Sequence, residues 1–317
     1  MHLFRRELSF RITAKPKKAF NIGGVENVVD DYSMSIPGPS DYAKDIWQIA
    51  RNLGHEVCAK VQVNVTWECS TLPFLPVFEL IREHMTNLKN AGVRHLMLSW
   101  TLGGNASINL KVATACLNDP SYDKYKALLK EEYGEYADII EKSSKTFSEA
   151  FREFPFHIRV LYFGPQNGGP VNPLYLEPTE LKSTMTGFPF DDIDSWREIY
   201  PKEVYIEQWK NLSEGWKKGL DMLENLPEND YKQSAIGGYL LFRSSYLQSL
   251  FVDARDKGDK ETMLYVAREE RKNAKQFYEL MYNNPRFGYE ASNHYYFTKS
   301  QLIEKIINCE YIIEKLS

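Results

Sequence analysis

The sequence predicts an α/β region that is followed by an α-helical region. Two runs rich in β-branched and apolar residues, at 58–67 and 93–100, flank a helical segment at 76–90. Strand, helix and strand in this order form a right-handed parallel crossover. Farther along the chain, apolar residues recur at helical spacing instead. We therefore divide the chain into an α/β part at 1–120 and a mainly α-helical part at 121–317.

The first part predicts three parallel strands. Residues 1–24 form a basic, weakly patterned leader that closes on Gly23-Gly24, and a short strand follows at 25–30. A helix at 41–53 then precedes the strand at 58–67, so the order is β-α-β-α-β. Three strands do not close a barrel. The residues alone therefore allow either a small open sheet or the last part of a (β/α)₈ barrel, a fold that needs roughly 200 residues.

The second part predicts long helices joined by one long loop. The apolar run at 157–163 is compatible with a further strand, and the Gly- and Pro-rich stretch at 164–194 predicts an ordered loop. Gly258 and Asp259 supply a stop signal and a cap between two helices. The predicted helices lie at 124–154, with an interruption near Gly134, and at 202–225, 230–257, 259–283 and 299–316.

Composition excludes several classes of function. The net charge of −4 without long runs of one sign does not favour a nucleic-acid partner, and no apolar stretch reaches the ~20 residues of a membrane span. We see no signal peptide at the N-terminus, which makes a cytoplasmic location the default expectation. The four cysteines lack metal-ligand spacing and are expected to be reduced buried thiols. The sequence also has no HExxH, no Walker loop and no dinucleotide fingerprint after a strand, so we expect no metal and no organic cofactor. Aromatic residues make up 14% of the chain, which fits either carbohydrate binding or an aromatic helical core.

Glu68 is the candidate catalytic residue. It ends the run at 58–67, next to Trp67, and Trp100 ends the following predicted strand. Because ligands bind at the carboxyl ends of parallel strands, a carboxylate between two indoles there suits a sugar-cleaving site. The alternative is an exposed loop glutamate, which is the commonest environment of this residue type.

Further polar residues near Glu68 are candidates for substrate binding. Asn64 shares a strand face with Glu68 by the period of two, so it either orients the acid or fills an interior polar layer. Asp30 and Asp31 end the first strand and could supply a second carboxylate or, with Tyr32, contact sugar hydroxyls. An aspartate before Tyr-Ser also suits a simple turn.

Several segments resemble bacterial glycoside-hydrolase-like proteins. The resemblance rests on Ala59–Glu68 and on Met97-Leu98-Ser99-Trp100-Thr101-Leu102-Gly103-Gly104. Residues 169–175 and 287–296 are similar to downstream segments of those proteins. The helical tail is similar to that of the α-glucuronidase and endo-β-N-acetylglucosaminidase type.

The resemblance implies a fold and an activity. It implies the last strands of a (β/α)₈ barrel followed by an α-helical domain, in a chain that begins inside the barrel. Glu68 would be the nucleophile or general acid/base acting on an oligosaccharide, with Trp67 and Trp100 as the sugar platform. The implied partner is the missing N-terminal barrel half, or another copy of the chain through self-association. The alternative function is a non-catalytic carbohydrate-binding or degenerate relative.

Overall fold

The computed structural model describes residues 10–30, 32–98, 105–183, 187–288 and 298–317. Helices account for 59% of the structure, and the strands are short. The strands of the described part are β1 (Phe10–Thr13), β2 (Lys18–Ile22), β3 (Val25–Val29), β4 (Val57–Val61) and β5 (His95–Leu98). Its α-helices are α1 (Asp41–Asn52), α2 (Phe78–Asn90), α3 (Ile108–Asn118), α4 (Tyr122–Tyr133), α5 (Ala137–Phe151), α6 (Ile158–Phe163), α7 (Ile193–Arg197), α8 (Lys202–Asp221), α9 (Asp230–Lys257), α10 (Lys260–Asn283) and α11 (Lys299–Leu316).

A small parallel sheet lies at the start of the chain. Its strand order is β1-β4-β5, with both outer strands parallel to β4. Paired residues of parallel neighbours share a face, so Lys60 lies with Thr13 and Met97 on one side of the sheet. The opposite face carries Val57, Ala59 and Val61, which are buried in the apolar core.

Strands β2 and β3 form a separate antiparallel hairpin. Lys18 pairs with Val29 and Ile22 pairs with Val25. The two-residue turn is Gly23-Gly24, with φ of 59° and 80°. A tight hairpin turn of this type needs positive φ at both central positions, which glycine adopts without strain.

The prediction of a partial (β/α)₈ barrel followed by a helical domain is wrong. The structure is a mostly helical α/β fold with five short strands in the described part. The run at 25–30 does not join the parallel sheet, because it folds back onto β2 across Gly23-Gly24. The third parallel strand is instead β1, which belongs to the segment expected to be a leader.

The run at 58–67 is a strand only as far as Val61. Beyond it, the backbone hydrogen bonds are supplied locally and by side chains. Asn64 O accepts from Leu75 N at 2.8 Å, and Asn109 Nδ2 donates to Val63 O at 2.7 Å. The apolar run at 157–163 also differs from expectation, because Ile158–Phe163 is the short helix α6.

Most predicted helices of the second part are confirmed with small shifts of their ends. Asp259 caps α10 by accepting from Thr262 N at 3.0 Å, and Gly258 ends α9 with φ of 70°. The interruption predicted near Gly134 is confirmed, because a 3₁₀ turn that begins at Gly134 separates α4 from α5. These signals are local, and for this reason the sequence reveals them.

The aromatic residues mostly build the core. Trp47, Trp196, Trp209 and Trp216 are fully buried. Trp216 stacks on Phe147 at 4.5 Å between ring centroids. The high aromatic content is therefore explained largely by core packing and carries little weight as a sign of carbohydrate binding.

A buried ion pair joins the last two helices. Lys305 Nζ of α11 lies 3.1 Å from Glu270 Oε2 of α10, and both side chains are 0% exposed. Ser244 Oγ of α9 also donates to Glu270, and Lys305 donates to Asn172 O. The pair thereby ties three helices and the loop around residue 172 together.

Candidate functional site

The site predicted from sequence lies on the loop that follows β4, at the carboxyl end of the parallel sheet. This loop, residues 62–77, is almost entirely buried. Asn109 holds it from α3 by donating to the carbonyls of Val63 and Leu75, both at 2.7 Å. The described part of this region contains Trp67, Glu68 and Asn64. Trp100 and Asp31 lie outside the described residues.

The Glu68 carboxylate is sealed in the interior. Its side chain is 0% exposed, and both oxygens accept hydrogen bonds. Oε2 accepts from Met34 N and Thr66 Oγ1, each at 2.6 Å. Oε1 accepts from Ser33 Oγ at 2.9 Å, Ser35 N at 3.2 Å and Ser35 Oγ at 2.5 Å. These donors come mainly from the segment 33–35, so Glu68 fastens that segment onto the loop after β4.

Two buried basic groups lie in the same region. Lys15 is 4% exposed, and its ammonium donates to Ser33 O. Burial lowers the pKa of Lys15 to about 7, although the nearby Glu68 charge opposes this shift. His84 is also 4% exposed, and burial, followed by the charge of Lys15, holds its pKa well below the ordinary value. The surroundings of Glu68 are thus a closed polar cluster built by residues far apart in sequence.

This geometry does not give Glu68 access to a substrate. A nucleophile or general acid must touch the scissile bond, and a fully buried carboxylate with five donors around it cannot do so without opening the loop. The structure also excludes the alternative of an exposed loop glutamate, since Glu68 is buried. A catalytic role for Glu68 stays a prediction, and its observed contacts are those of a structural carboxylate.

Asn64 likewise makes structural contacts. Its side chain is 1% exposed. Nδ2 donates to Asn105 O at 2.7 Å, and Oδ1 accepts from Ser107 Oγ at 2.5 Å. Asn64 therefore connects the loop after β4 to the N-terminus of α3. These contacts fit the expectation that Asn64 belongs to an interior polar layer better than the expectation that it orients Glu68.

Trp67 is the predicted site residue that reaches the surface. It is half-buried, and its ring packs between two tyrosines. Tyr32 is parallel to it within 10° at a centroid distance of 6.2 Å, and Tyr162 is tilted by 53° at 6.1 Å. We call Tyr32, Trp67 and Tyr162 the aromatic cluster. Lys60 Nζ lies 4.9 Å from the Tyr32 ring centroid, on the sheet face that adjoins the cluster.

The cluster combines a buried polar atom with a partly exposed ring. Trp67 Nε1 is buried and has no hydrogen-bond acceptor within the described ranges. Tyr162 is 37% exposed, which leaves part of its ring open to solvent. The exposed parts of the Trp67 and Tyr162 rings can contact the apolar face of a sugar, whereas the buried N–H is out of reach of a sugar hydroxyl in this structure.

Sequence reasoning missed Tyr162, Lys60, Lys15 and His84. Tyr162 is brought to Trp67 by α6, a segment that was expected to be a strand. Lys15 was placed in the leader, where nothing local distinguishes it from an exposed lysine. For Lys60, the period of two along β4 could have placed it on the face of the sheet opposite the core.

A groove between α1 and α2 offers a second concave surface. It encloses about 570 Å³ and is lined mainly by polar side chains. The lining residues include Lys18, Lys44, Arg51, Asn87 and Asn90. None of its described lining residues is aromatic, so the described lining lacks the flat apolar surface against which a pyranose ring packs.

The described residues contain neither a metal-ligand cluster nor a helix that could cross a membrane. Within them, no group of three or more His, Cys, Asp or Glu side chains is arranged to hold a metal ion. All four cysteines are buried thiols outside any disulfide, as the sequence predicts. None of the helices in these ranges has the length and apolar character needed to cross a bilayer.

Comparisons with known proteins assign no family. A scan of the sequence against protein-family models produced no match. A search of curated proteins produced no significant match either. The resemblance to glycoside-hydrolase-like proteins therefore stays a prediction, and a functional proposal depends on the site itself.

Proposed function

We propose that this protein binds an oligosaccharide at the aromatic cluster and does not cleave it with Glu68. The observation that supports this proposal is the pair of partly exposed rings formed by the half-buried Trp67 and by Tyr162, whose centroids lie 6.1 Å apart. The hydrophobic face of a sugar ring packs against partly exposed aromatic rings of this kind.

The supporting contacts make the cluster a rigid platform. Tyr32 is 9% exposed and backs Trp67 in an offset parallel arrangement. The neighbouring Glu68 is fixed by its hydrogen bonds to the segment 33–35, which immediately follows Tyr32 in the chain. The role we assign to the Glu68 carboxylate is therefore to position Tyr32 against Trp67, its neighbour in sequence.

Binding without turnover follows from the burial of the carboxylate. Glycoside hydrolysis uses carboxyl groups in contact with the glycosidic bond. Glu68 satisfies its oxygens internally, so the geometry supports recognition more than chemistry. We expect weak affinity, with a Kd on the order of 0.1 mM, because the exposed parts of two rings bury little apolar surface.

Isothermal titration calorimetry with a panel of neutral and acidic oligosaccharides tests the proposal. Trp67→Ala and Tyr162→Ala should each weaken binding at least about tenfold, which is roughly 1.4 kcal/mol. Trp67→Phe, which keeps a ring but loses the N–H, should retain part of the affinity. Tyr265→Ala is the matched control, because Tyr265 is 53% exposed on α10, outside the cluster.

Product analysis by mass spectrometry on the same samples separates binding from cleavage. Bound and intact oligosaccharide supports the proposal. Cleavage by the wild type that disappears in a folded Glu68→Gln variant would instead support the hypothesis that the protein is a glycosidase. If the three alanine variants bind equally well, the aromatic cluster is not the binding site. These variants are Trp67→Ala, Tyr162→Ala and Tyr265→Ala.

A further inference from the structure

Residues 33–40 cross the interior without helix or strand structure, and all of them are buried. We call this segment the strap. Glu68 holds its first three residues by hydrogen bonds. Near its other end, Asn87 Nδ2 of α2 donates to Gly38 O at 3.0 Å. Because individual hydrogen bonds hold the strap, it can open while the sheet and the helices around it stay folded.

His84 lies directly beneath the second end of the strap. Its side chain projects from α2 and is 4% exposed. A methyl group on Gly38 would lie 3.2 Å from His84 Nε2 and 2.9 Å from Lys15 Cγ, so both side chains are packed against the Gly38 backbone. His84 Nε2 is buried and has no hydrogen-bond partner among the described residues. A proton added to this nitrogen would therefore have no acceptor in the closed structure.

The charges next to His84 are balanced only while its ring is neutral. Lys15 and Glu68 supply one positive and one negative charge in the same buried region. The Glu68 oxygens already accept five hydrogen bonds. A protonated His84 would thus be a second buried cation beside Lys15, which is why burial and the Lys15 charge lower its pKa.

The other ionisable groups nearby do not compensate a charge on His84. Glu83, the preceding residue of α2, is paired with Arg152 at the end of α5. The Cys69 thiol stays neutral, because burial raises its pKa well above the ordinary value. The strap itself contains no ionisable side chain.

Solvent lies on the other side of the strap from His84. Gly38 and Pro39 line the polar groove between α1 and α2. Displacing these two residues would open His84 to the water of the groove while α2 stays in place. Hydration of a buried imidazolium therefore requires movement of the strap and not of the helix.

We propose that His84 is an acid-sensing group, whose protonation releases the strap from the interior. The closed structure excludes the proton and the open structure accepts it, so opening takes up one proton. The equilibrium therefore shifts toward the open strap as the pH falls below about 6.5, the ordinary pKa of histidine. Lys15 adds at most about a factor of two between pH 7 and 5, because its pKa of about 7 already leaves it largely protonated there.

Opening of the strap also reaches the aromatic cluster. The strap begins directly after Tyr32, whose ring is parallel to that of Trp67 within 10°. Acid should therefore loosen the platform and weaken oligosaccharide binding. This consequence rests on the proposed function, whereas the opening itself does not.

Hydrogen exchange of the wild-type chain, measured by mass spectrometry at about pH 7 and about pH 5, tests the opening without any ligand. After correction for the intrinsic exchange rates, the protection of the strap amides should fall about 20-fold between these pH values. At both pH values the strap should be less protected than α9, because the strap opens locally.

A pair of variants assigns the effect to His84. His84→Phe keeps a flat ring and removes the titrating nitrogen, so the protection of its strap should change less than about threefold between the two pH values. His55→Phe, at an exposed position, is the matched control and should keep the wild-type fall. Near-ultraviolet circular dichroism at neutral pH verifies that each variant is folded.

Three results would overturn the proposal. Two of them need only the wild-type chain: strap protection that is the same at both pH values, or strap protection equal to that of α9. The third is a fall of protection in folded His84→Phe that is as steep as in the wild type.

Discussion

The backbone N–H of Met34 donates to Glu68 Oε2 at 2.6 Å, which joins positions 34 residues apart in sequence. Together with Ser33 and Ser35, this contact encloses the carboxylate and holds the segment that follows Tyr32. Glu68 resembles a catalytic acid in the sequence, but in the structure its carboxylate holds the segment 33–35 by hydrogen bonds.

Replacing Glu68 by glutamine should destabilise the fold. The amide nitrogen of glutamine is a hydrogen-bond donor. It would replace one carboxylate oxygen and would point at N–H and O–H groups that themselves need an acceptor. We expect the free energy of unfolding to fall by about 2–4 kcal/mol, because one or more buried groups lose their acceptor. Urea unfolding measures this change. Glu131→Gln, at an exposed position on α4, should change stability by less than about 0.5 kcal/mol, and equal effects of the two variants would contradict the structural role.

Lys15 should make stability depend on pH above neutrality. Its pKa is about 7 in the folded chain and 10.5 in the unfolded chain, so between these values the unfolded chain binds more protons. The free energy of unfolding therefore rises with pH from about 7, by at most ~1.4 kcal/mol per unit. Above about 9 the buried thiols oppose this trend, since burial raises the pKa of Cys116 from 9.0 to about 11.

Urea unfolding between about pH 7 and 8.5 measures the Lys15 contribution. Lys15→Met should flatten the rise, while Lys124→Met at an exposed position should leave it unchanged. Identical slopes for the wild type and Lys15→Met would show that Lys15 does not titrate in this range.

The buried Lys305–Glu270 pair should show strong coupling. Lys305→Met leaves the Glu270 carboxylate buried without its cation, which costs about 3–5 kcal/mol. Lys305→Met combined with Glu270→Leu removes both charges and should recover at least half of that loss. A double-mutant cycle by urea unfolding provides the coupling energy, and additive losses would mean that the two side chains act independently.

Some elements could be predicted because their signals are local. Asp259 and Gly258 mark the boundary between α9 and α10 through contacts within a few residues, and helical periodicity defines α8 to α11. The parallel pairing of β4 with β5 also follows from the strand–helix–strand order.

Other features depend on distant residues. β1 is the short run Phe10–Thr13, in which apolar and polar residues do alternate, so the period of two was overlooked within a segment that is basic overall. Val25–Val29 is a good strand in either a parallel sheet or a hairpin, and Gly23-Gly24 selects the hairpin. The local sequence around Glu68 is the same whether the carboxylate faces a cleft or is covered, and the covering donors Ser33 and Ser35 come from elsewhere in the chain.

The indole N–H signal of Trp67 in ¹H–¹⁵N correlation spectra tests the central claim most directly. Trp67→Phe assigns the signal by its loss, and a bound oligosaccharide is then titrated against the wild-type chain. Contact between the sugar and the aromatic cluster predicts a progressive shift of the Trp67 signal, while the signal of the fully buried Trp216, whose N–H is bonded to Ala235 O, stays in place. A Trp67 signal that does not move at saturating oligosaccharide would contradict the account.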